Sequence, residues 1–563
     1  MHLRTILPLV LSLASLTSRM AGAAEQAVEA ADTASGTTVI TLSGSLSLRP
    51  QPSLFGGHEQ SLHDATITLR KVLRGPAQRV VIDLSQGYGA GLAVAEELAS
   101  VIRAERGSTR TITCLIDGVE DNALVLAAAC DETVMANAGI IDINGVALES
   151  YYFADALAKL GMRFHAVASG EHKTAHEPFT RNAPSPVGAA ELTALAQDLD
   201  AILITDSLRP GLTREQLLAA RARSPQTPDI ARETKLVNAT AEPGAWLAKL
   251  PEPVHHTDEE RNGADLSGMA GMMALWQKLL HGEDGPSYAE AVAVVELEGE
   301  IIGGGDSSPG ESIGPDDTSE LFADLAKNKK IKAVVLRINS PGGDAGASDR
   351  IHHAVRRLAA IKPVVALFDG VAASGGYYIG CAADEIQVHH ATITGSIGVF
   401  ALLPDASGSL DLLGVHRFAV STGKRGDVMS LTAPFTPERE AALRQVVDDV
   451  DQRFQGLVAE RRHLDLAKVH NLAGGRVFTG EQAVANGLAD GFGTLSSAVA
   501  AARKRAGIEQ ALPLERFPKE RGLLSRLGMG GVHVLLPPVA VRLQRLAEQR
   551  GLRVMAWAAV PPL

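Results

Sequence analysis

The sequence predicts an α/β protein built as a tandem duplication of one βαβ unit, each copy wound around a largely parallel sheet. Two observations predict it. The chain matches itself at a nearly constant spacing, and within each matching half short β-branched runs alternate with helical patterns. At 563 residues, with 45% hydrophobic and 21% charged residues, it exceeds a single core and can bury several. A formal charge of −12 excludes the basic face that a nucleic-acid partner needs.

The N-terminus carries His2 and Arg4, an apolar run from Ile6 to Leu16, and the small-residue tract AGAAEQ starting at Ala21. That is a secretory signal-peptide pattern over 1–24, with cleavage near Ala23 or Ala24. The run is shorter than the ~20 residues of a membrane span, so export without a retained anchor is expected. Cys114, Cys130 and Cys381 are odd in number and widely spaced, which suggests three buried thiols rather than a disulfide framework or a metal site.

The first copy spans 25–250 and the second 288–510. Leu157–Lys173, LAKLGMRFHAVASGEHK, faces Leu410–Gly426, LDLLGVHRFAVSTGKRG, at an offset of 253 residues. Upstream, RVVIDLSQGYGAG matches AVVLRINSPGGDA; downstream, SPQTPDIARETKLVNA matches AGGRVFTGEQAVANGLAD. Strands are expected at Val80–Ile82, Val334–Ile338 and Val364–Leu367, and a helix at Ser348–Leu358. The longest helix is expected over Pro437–Arg462, with Thr436 as N-cap, Pro437 at the first position, and packing on the neighbouring copy. Residues 251–287 read as a linker around the apolar MAGMMALWQKLL, a docking helix in preference to a membrane-touching one. Residues 511–563 form a tail whose apolar, Arg-interleaved end from Gly531 suits an assembly contact or a bilayer surface.

Asp369–Ile386, DGVAASGGYYIGCAADEI, has the apolar content of a buried helix but centres on Ser374-Gly375-Gly376. Two glycines there cost a helix about 1 kcal/mol each relative to alanine, so another requirement put them there. In the repeat alignment Ser374 faces Asn122, and Lys173 faces Gly426. The hydroxyl survives in one copy and the amine in the other, which points to one shared site.

These motifs resemble the signal peptide peptidase A family of serine peptidases, in its long tandem form, whose fold is related to Clp proteases and crotonases. RINSPGGDA at Arg337–Ala345, GVAASGGYYIG at Gly370–Gly380, TGSIGVF at Thr394–Phe400, RVFTGEQAVANGLAD at Arg476–Asp490 and SGEHKTAHEPFTR at Ser169–Arg181 carry the resemblance. It implies a Clp/crotonase-like unit, Ser374 as nucleophile, Lys173 as general base and Ser396 as the hydroxyl that holds the lysine. It also implies Gly342 or Gly343, with Gly375, as oxyanion donors, and no cofactor or metal. Hydrophobic peptides such as signal-peptide remnants are the implied substrates, and a ring-like or dome-like homo-oligomer, a tetramer, is the implied assembly. The location is periplasmic or extracytoplasmic, with peripheral membrane contact.

The chemistry asks for these residue types. A serine hydroxyl needs a base to take its proton, and lysine serves only when neutral. Lowering its ~10.4 reference pKa to ~7–8 takes about 3–5 kcal/mol, which burial supplies. Glu171 and Glu177 oppose this unless they point elsewhere. Tyr377 and Tyr378 are expected to line a groove for apolar peptides.

Other readings are weaker. His352, His353, His389 and His390 offer a Ser-His-Asp triad, but no G-x-S-x-G elbow surrounds Ser374. Ser421–Lys424 has S-x-x-K spacing without its partner motifs, and His172 and His176 sit four apart without the H-E-x-x-H order. A non-catalytic membrane-associated scaffold and a crotonase-like acyl-CoA enzyme complete the alternatives; export removes the last from coenzyme A.

Overall fold

The computed structural model describes residues 36–49, 60–250, 253–257, 289–308, 310–423, 426–519 and 554–557. The leader, most of the linker and most of the tail lie outside the described residues.

Two parallel sheets repeat one topology. The first runs Ala239–Ala241, Glu132–Ala136, Thr111–Ile116, Arg79–Asp83, Thr37–Thr41, Val254–His256. The second, of eight strands, runs in parallel through Gly491–Phe492, Glu385–Val388, Val364–Ala373, Ile331–Ser340, Ala291–Glu298 and Leu514–Phe517, and adds Ile393–Gly395, parallel to Val364–Ala373, with Val477–Thr479 antiparallel beyond it. Strand for strand the two parallel orders are the same, so the duplication is a structural fact. Ala291–Glu298 is buried at every position, as expected for a parallel strand covered on both faces. Flanking helices also correspond: Leu62–Arg74 with Pro315–Lys327, and Leu92–Glu105 with Ala345–Ala359.

The longest helix spans Pro437–Arg462, and Thr436 Oγ1 accepts the Arg439 N–H at its start. Its Leu443 and Val447 pack with Val167 of the first copy and Val399, Ala401 and Leu403 of the second. The two halves are further joined by Ala391 and Ile393, which enter the first core, and by buried carboxylates. Glu96 accepts the Ala391 N–H at 3.0 Å and Glu97 the Leu495 N–H at 3.1 Å.

Three expectations change. Cys114 and Cys130 form a disulfide, with Cα atoms 6.0 Å apart, and only Cys381 is a free buried thiol among the described residues. Cys114 inside strand Thr111–Ile116 and Cys130 just past helix Asp121–Ala129 come together, an adjacency that a 16-residue spacing does not reveal. Val254–His256, inside the segment read as linker, adds an outer strand to the first sheet, and Leu514–Phe517, inside the tail, does the same for the second. Both short apolar runs find an open parallel edge to pair with. Among the described residues no helix is long and apolar enough to cross a membrane.

Candidate active site

Strand Val364–Ala373 ends at Ser374, and helix Gly375–Gly380 begins at the next residue. Its neighbour Ile393–Gly395 pairs in parallel, with Ala373 opposite Gly395, so Ser374 and Ser396 leave the sheet side by side. Ser374 has φ 55° and ψ −113°, and Ser396 has φ 50°, a region costly for residues with a Cβ. Ser374 N–H donates to Gly395 O at 2.8 Å, and Ser396 N–H to Arg476 O at 2.6 Å.

The lysine arrives from the other copy. Strand Arg163–Ala168 lies antiparallel to Phe400–Asp405, with Ala168 opposite Phe400. Ser169 N–H donates to Val399 O, and Val399 N–H donates to Ser169 Oγ, both at 2.9 Å. Four residues on, Lys173 Nζ lies 2.8 Å from Ser374 Oγ, 2.8 Å from Ser396 Oγ and 2.8 Å from Ser396 O. The repeat alignment and the resemblance therefore named side chains that meet, and they meet within one chain.

Lys173, Ser374 and Ser396 are each no more than 1% exposed. Burial holds the Lys173 amine well below its ordinary pKa, and the Asp451 carboxylate nearby only partly opposes this. Burial likewise pushes Asp451 up, against the pull of Ser169, Gln455 and Lys173. Gln455 Nε2 donates to Asp451 Oδ2 at 2.6 Å. Asp451 sits on the long helix, 278 residues from the lysine in sequence, and no local pattern marked it. Glu171 is exposed, and Glu177 accepts the Ser185 N–H at 2.9 Å, so both point elsewhere as the chemistry requires.

Bare backbone is needed at specific points. A Cβ on Gly475, at φ 94°, would come within 2.5 Å of the Lys173 Cα and N, so only glycine lets this loop back the lysine. A Cβ on Gly375 would meet Ser348 Oγ at 2.6 Å and Gly342 Cα at 3.2 Å, which brings the SPGG turn against the residue after Ser374. Gly342 N–H donates to Ser340 Oγ at 3.2 Å; the N–H of Gly375 opens a helix and has no acceptor within it. Gly343 has φ 153° and lies against Ile301 backbone.

Tyr377 and Tyr378 do not line a groove. They are 0% and 3% exposed, with Tyr377 Oη donating to Leu488 O at 2.9 Å and Tyr378 Oη to Asp349 at 2.8 Å. The helix after Ser374 turns its rings into the core, where Tyr378 packs on Phe454 at 4.6 Å between centroids. The rival histidines are engaged elsewhere: His352 with Tyr378 O, His353 with Asp349, His389 beside Glu97 and Asp369, His390 with Glu481. His172 meets Glu191 at 2.8 Å and His176 meets Thr180 at 3.2 Å. Ser421 is exposed on a loop whose Lys424 lies outside the described residues. Arg337 of the RINSPGGDA motif and Asp369, just before GVAASGGYYIG, form a buried ion pair rather than part of the site.

Comparison with known proteins agrees. The family model Peptidase family S49 matches residues 105–199 and 356–509, and the Clp protease model matches 314–393. Protease 4 of Salmonella typhi is 29% identical over 535 residues, covering 90% of this chain and 84% of that protein. The chloroplastic serine protease SPPA of Arabidopsis thaliana is 27% identical over 388 residues, 68% of this chain and 56% of its own. A putative protease of Methanocaldococcus jannaschii is 32% identical over 276 residues, 47% of this chain and 88% of its own. With the duplicated sheet, the matched segments in both copies and these relatives together, the chain belongs to peptidase family S49.

Proposed function

We propose that this protein is an extracytoplasmic serine endopeptidase that cuts hydrophobic peptides, signal-peptide remnants among them, through an acyl-enzyme on Ser374. The observation that carries the reading is the 2.8 Å contact between Lys173 Nζ and Ser374 Oγ in a water-excluded setting that favours the neutral amine.

The steps follow from the geometry. Lys173 takes the Ser374 proton as Oγ attacks the peptide carbonyl, and the two Ser396 oxygens accept from the ammonium that forms. The N–H of Gly375, with that of Gly343, is assigned to the developing oxyanion; Gly342 is the weaker candidate because its N–H already serves Ser340. Each such donor is worth about 3–4 kcal/mol in the transition state. Lys173 then returns the proton to the departing amine, and water activated by the same amine hydrolyses the ester.

The Cys114–Cys130 disulfide supports an oxidising compartment. Leu412, Leu413, Phe418 and Val420 are 68, 76, 91 and 82% exposed, an apolar surface that supports self-assembly. The test is labelling of the purified chain with a fluorophosphonate probe. Labelling that disappears in Ser374→Ala, together with peptide hydrolysis, supports the peptidase; a folded chain that takes no probe favours the scaffold reading.

A further inference from the structure

The long helix Pro437–Arg462 stops at His463, whose left-handed φ of 53° ends it, and Asp465 then opens the short helix Leu466–Leu472. Phe454 and Val458 of the first and Val469 of the second share one core, so the two helices are held together. That packing fixes the residue after Val469. His470 is exposed, yet its Nδ1 lies 3.1 Å from Gln455 Oε1 on the long helix.

Gln455 stands one turn after Asp451 on the same helix face, and both side chains are buried. Its Nε2 donates to Asp451 Oδ2 at 2.6 Å. An amide whose nitrogen serves the carboxylate leaves its oxygen to accept, so the His470 Nδ1 carries the hydrogen of that contact. Three side chains thus run in line from the surface to the carboxylate that acts on Lys173. The other groups facing Asp451 are Ser169 and Lys173 of the first copy. A few residues on, Gly475 backs the Lys173 main chain, so one stretch, 470–475, bears on the lysine both directly and through Asp451.

We propose that Gln455 and His470 are positioning residues for the Lys173 base, which keep the Asp451 carboxylate charged and aimed beside it. The proposal rests on the peptidase reading for the role of the amine, and on the hydrogen-bonded line for the role of the two residues. Burial disfavours charge on Asp451, and the Gln455 donor opposes burial. Without that donor the carboxyl takes up a proton more readily, and a neutral carboxyl no longer holds a proton on the amine. An exposed histidine therefore bears on the working pH of an amine that solvent does not reach.

The test reads the pH dependence of fluorophosphonate labelling at Ser374, and of kcat/KM on one hydrophobic peptide, in full chains carrying Gln455→Leu, His470→Leu or His470→Gln. Both quantities rise with pH as Lys173 becomes the free amine. Gln455→Leu is expected to move that rise to lower pH by about 0.5 unit or more, the direction expected for Asp451→Asn. His470→Leu moves it the same way by less, and His470→Gln, whose amide N–H replaces the ring donor, leaves it in place. In an Asp451→Asn chain none of the three moves it further, because the carboxylate they act on is gone. His470 lies on the surface, so its variants fold even where Gln455→Leu does not. A rise unmoved in His470→Leu, one moved to higher pH, equal shifts in His470→Leu and His470→Gln, or a full shift in the Asp451→Asn chain overturns the proposal. Labelling of the unaltered chain separates the two failures: if it is present, only the roles of Gln455 and His470 have failed, and if it is absent, the peptidase reading has failed and the proposal with it.

Discussion

Ser374 and Ser396 stand at one level of the second sheet, each a single residue past the paired Ala373 and Gly395, and both with positive φ. One strand register therefore sets the positions of both hydroxyls around the Lys173 amine. A slip of one residue would send one of them to the opposite face of the sheet. The backbone strain at each serine, about 1–3 kcal/mol, is held by the pairing around it.

Lys173→Arg keeps hydrogen-bond donors at the site but removes the proposed base, since a guanidinium stays protonated. Peptide turnover is expected to fall by about 10³-fold or more. Ser396→Ala removes one of three acceptors around Nζ and leaves Ser396 O in place, so a smaller loss, on the order of tenfold to a hundredfold, is expected. Steady-state rates on one hydrophobic peptide check both; an active Lys173→Arg enzyme sinks the mechanism.

The pH profile has a definite sign. The depressed Lys173 pKa means that the free amine fills in as pH rises through that value, so kcat/KM climbs with pH. Asp451 pulls the lysine upward, so Asp451→Asn moves the limb to lower pH; a move to higher pH contradicts the assignment. Because the unfolded lysine keeps its ordinary value, the unfolded chain binds more protons between the two values, and stability rises with pH across that window. Lys173→Met is expected to lose that slope in urea titrations.

Gly475→Ala puts a methyl group 2.5 Å from the Lys173 backbone at a φ of 94°. The loop or the lysine must shift. Activity should drop about a hundredfold, with about 1–3 kcal/mol lost in stability. Wild-type kinetics in this variant would show that the close approach has no bearing on the amine.

Removing the Cys114–Cys130 bridge opens a loop closed over 16 residues. The chain-entropy relation gives about 3 kcal/mol for such a loop. A Cys114→Ala, Cys130→Ala chain should melt lower and, where folded, keep its peptide turnover, because the bridge lies in the first core, apart from Ser374. Unchanged melting would show that the bridge adds nothing to stability.

Much of this was legible because duplication leaves a ruler in the sequence. Matching Leu157–Lys173 with Leu410–Gly426 exposed the lysine as an unshared residue, facing Ser374 with Asn122 exposed the serine, and the cap at Thr436 set the start of the long helix. What stayed hidden depends on distance in space rather than on local pattern. Asp451 reaches the site from a helix whose sequence shows its cap and length but not which carboxylate approaches the lysine, and Gly475 owes its role to the backbone it backs, in a segment far down the chain. Tyr377 and Tyr378 misled because an aromatic pair beside a nucleophile fits a groove and a core equally well; the direction of the short helix decides, and it turns them inward.

The lysine comes with strand Arg163–Ala168 and the serine with strand Val364–Ala373, 201 residues later. On the proposed mechanism, the Ser374 hydroxyl would have no proton acceptor during synthesis until the later half has folded against the earlier one. A chain interrupted between them, or one nicked and separated, holds only an inert alcohol or an inert amine. On that mechanism the divided inheritance of the two copies would act as a maturation safeguard, delaying proteolytic power until both halves are in place.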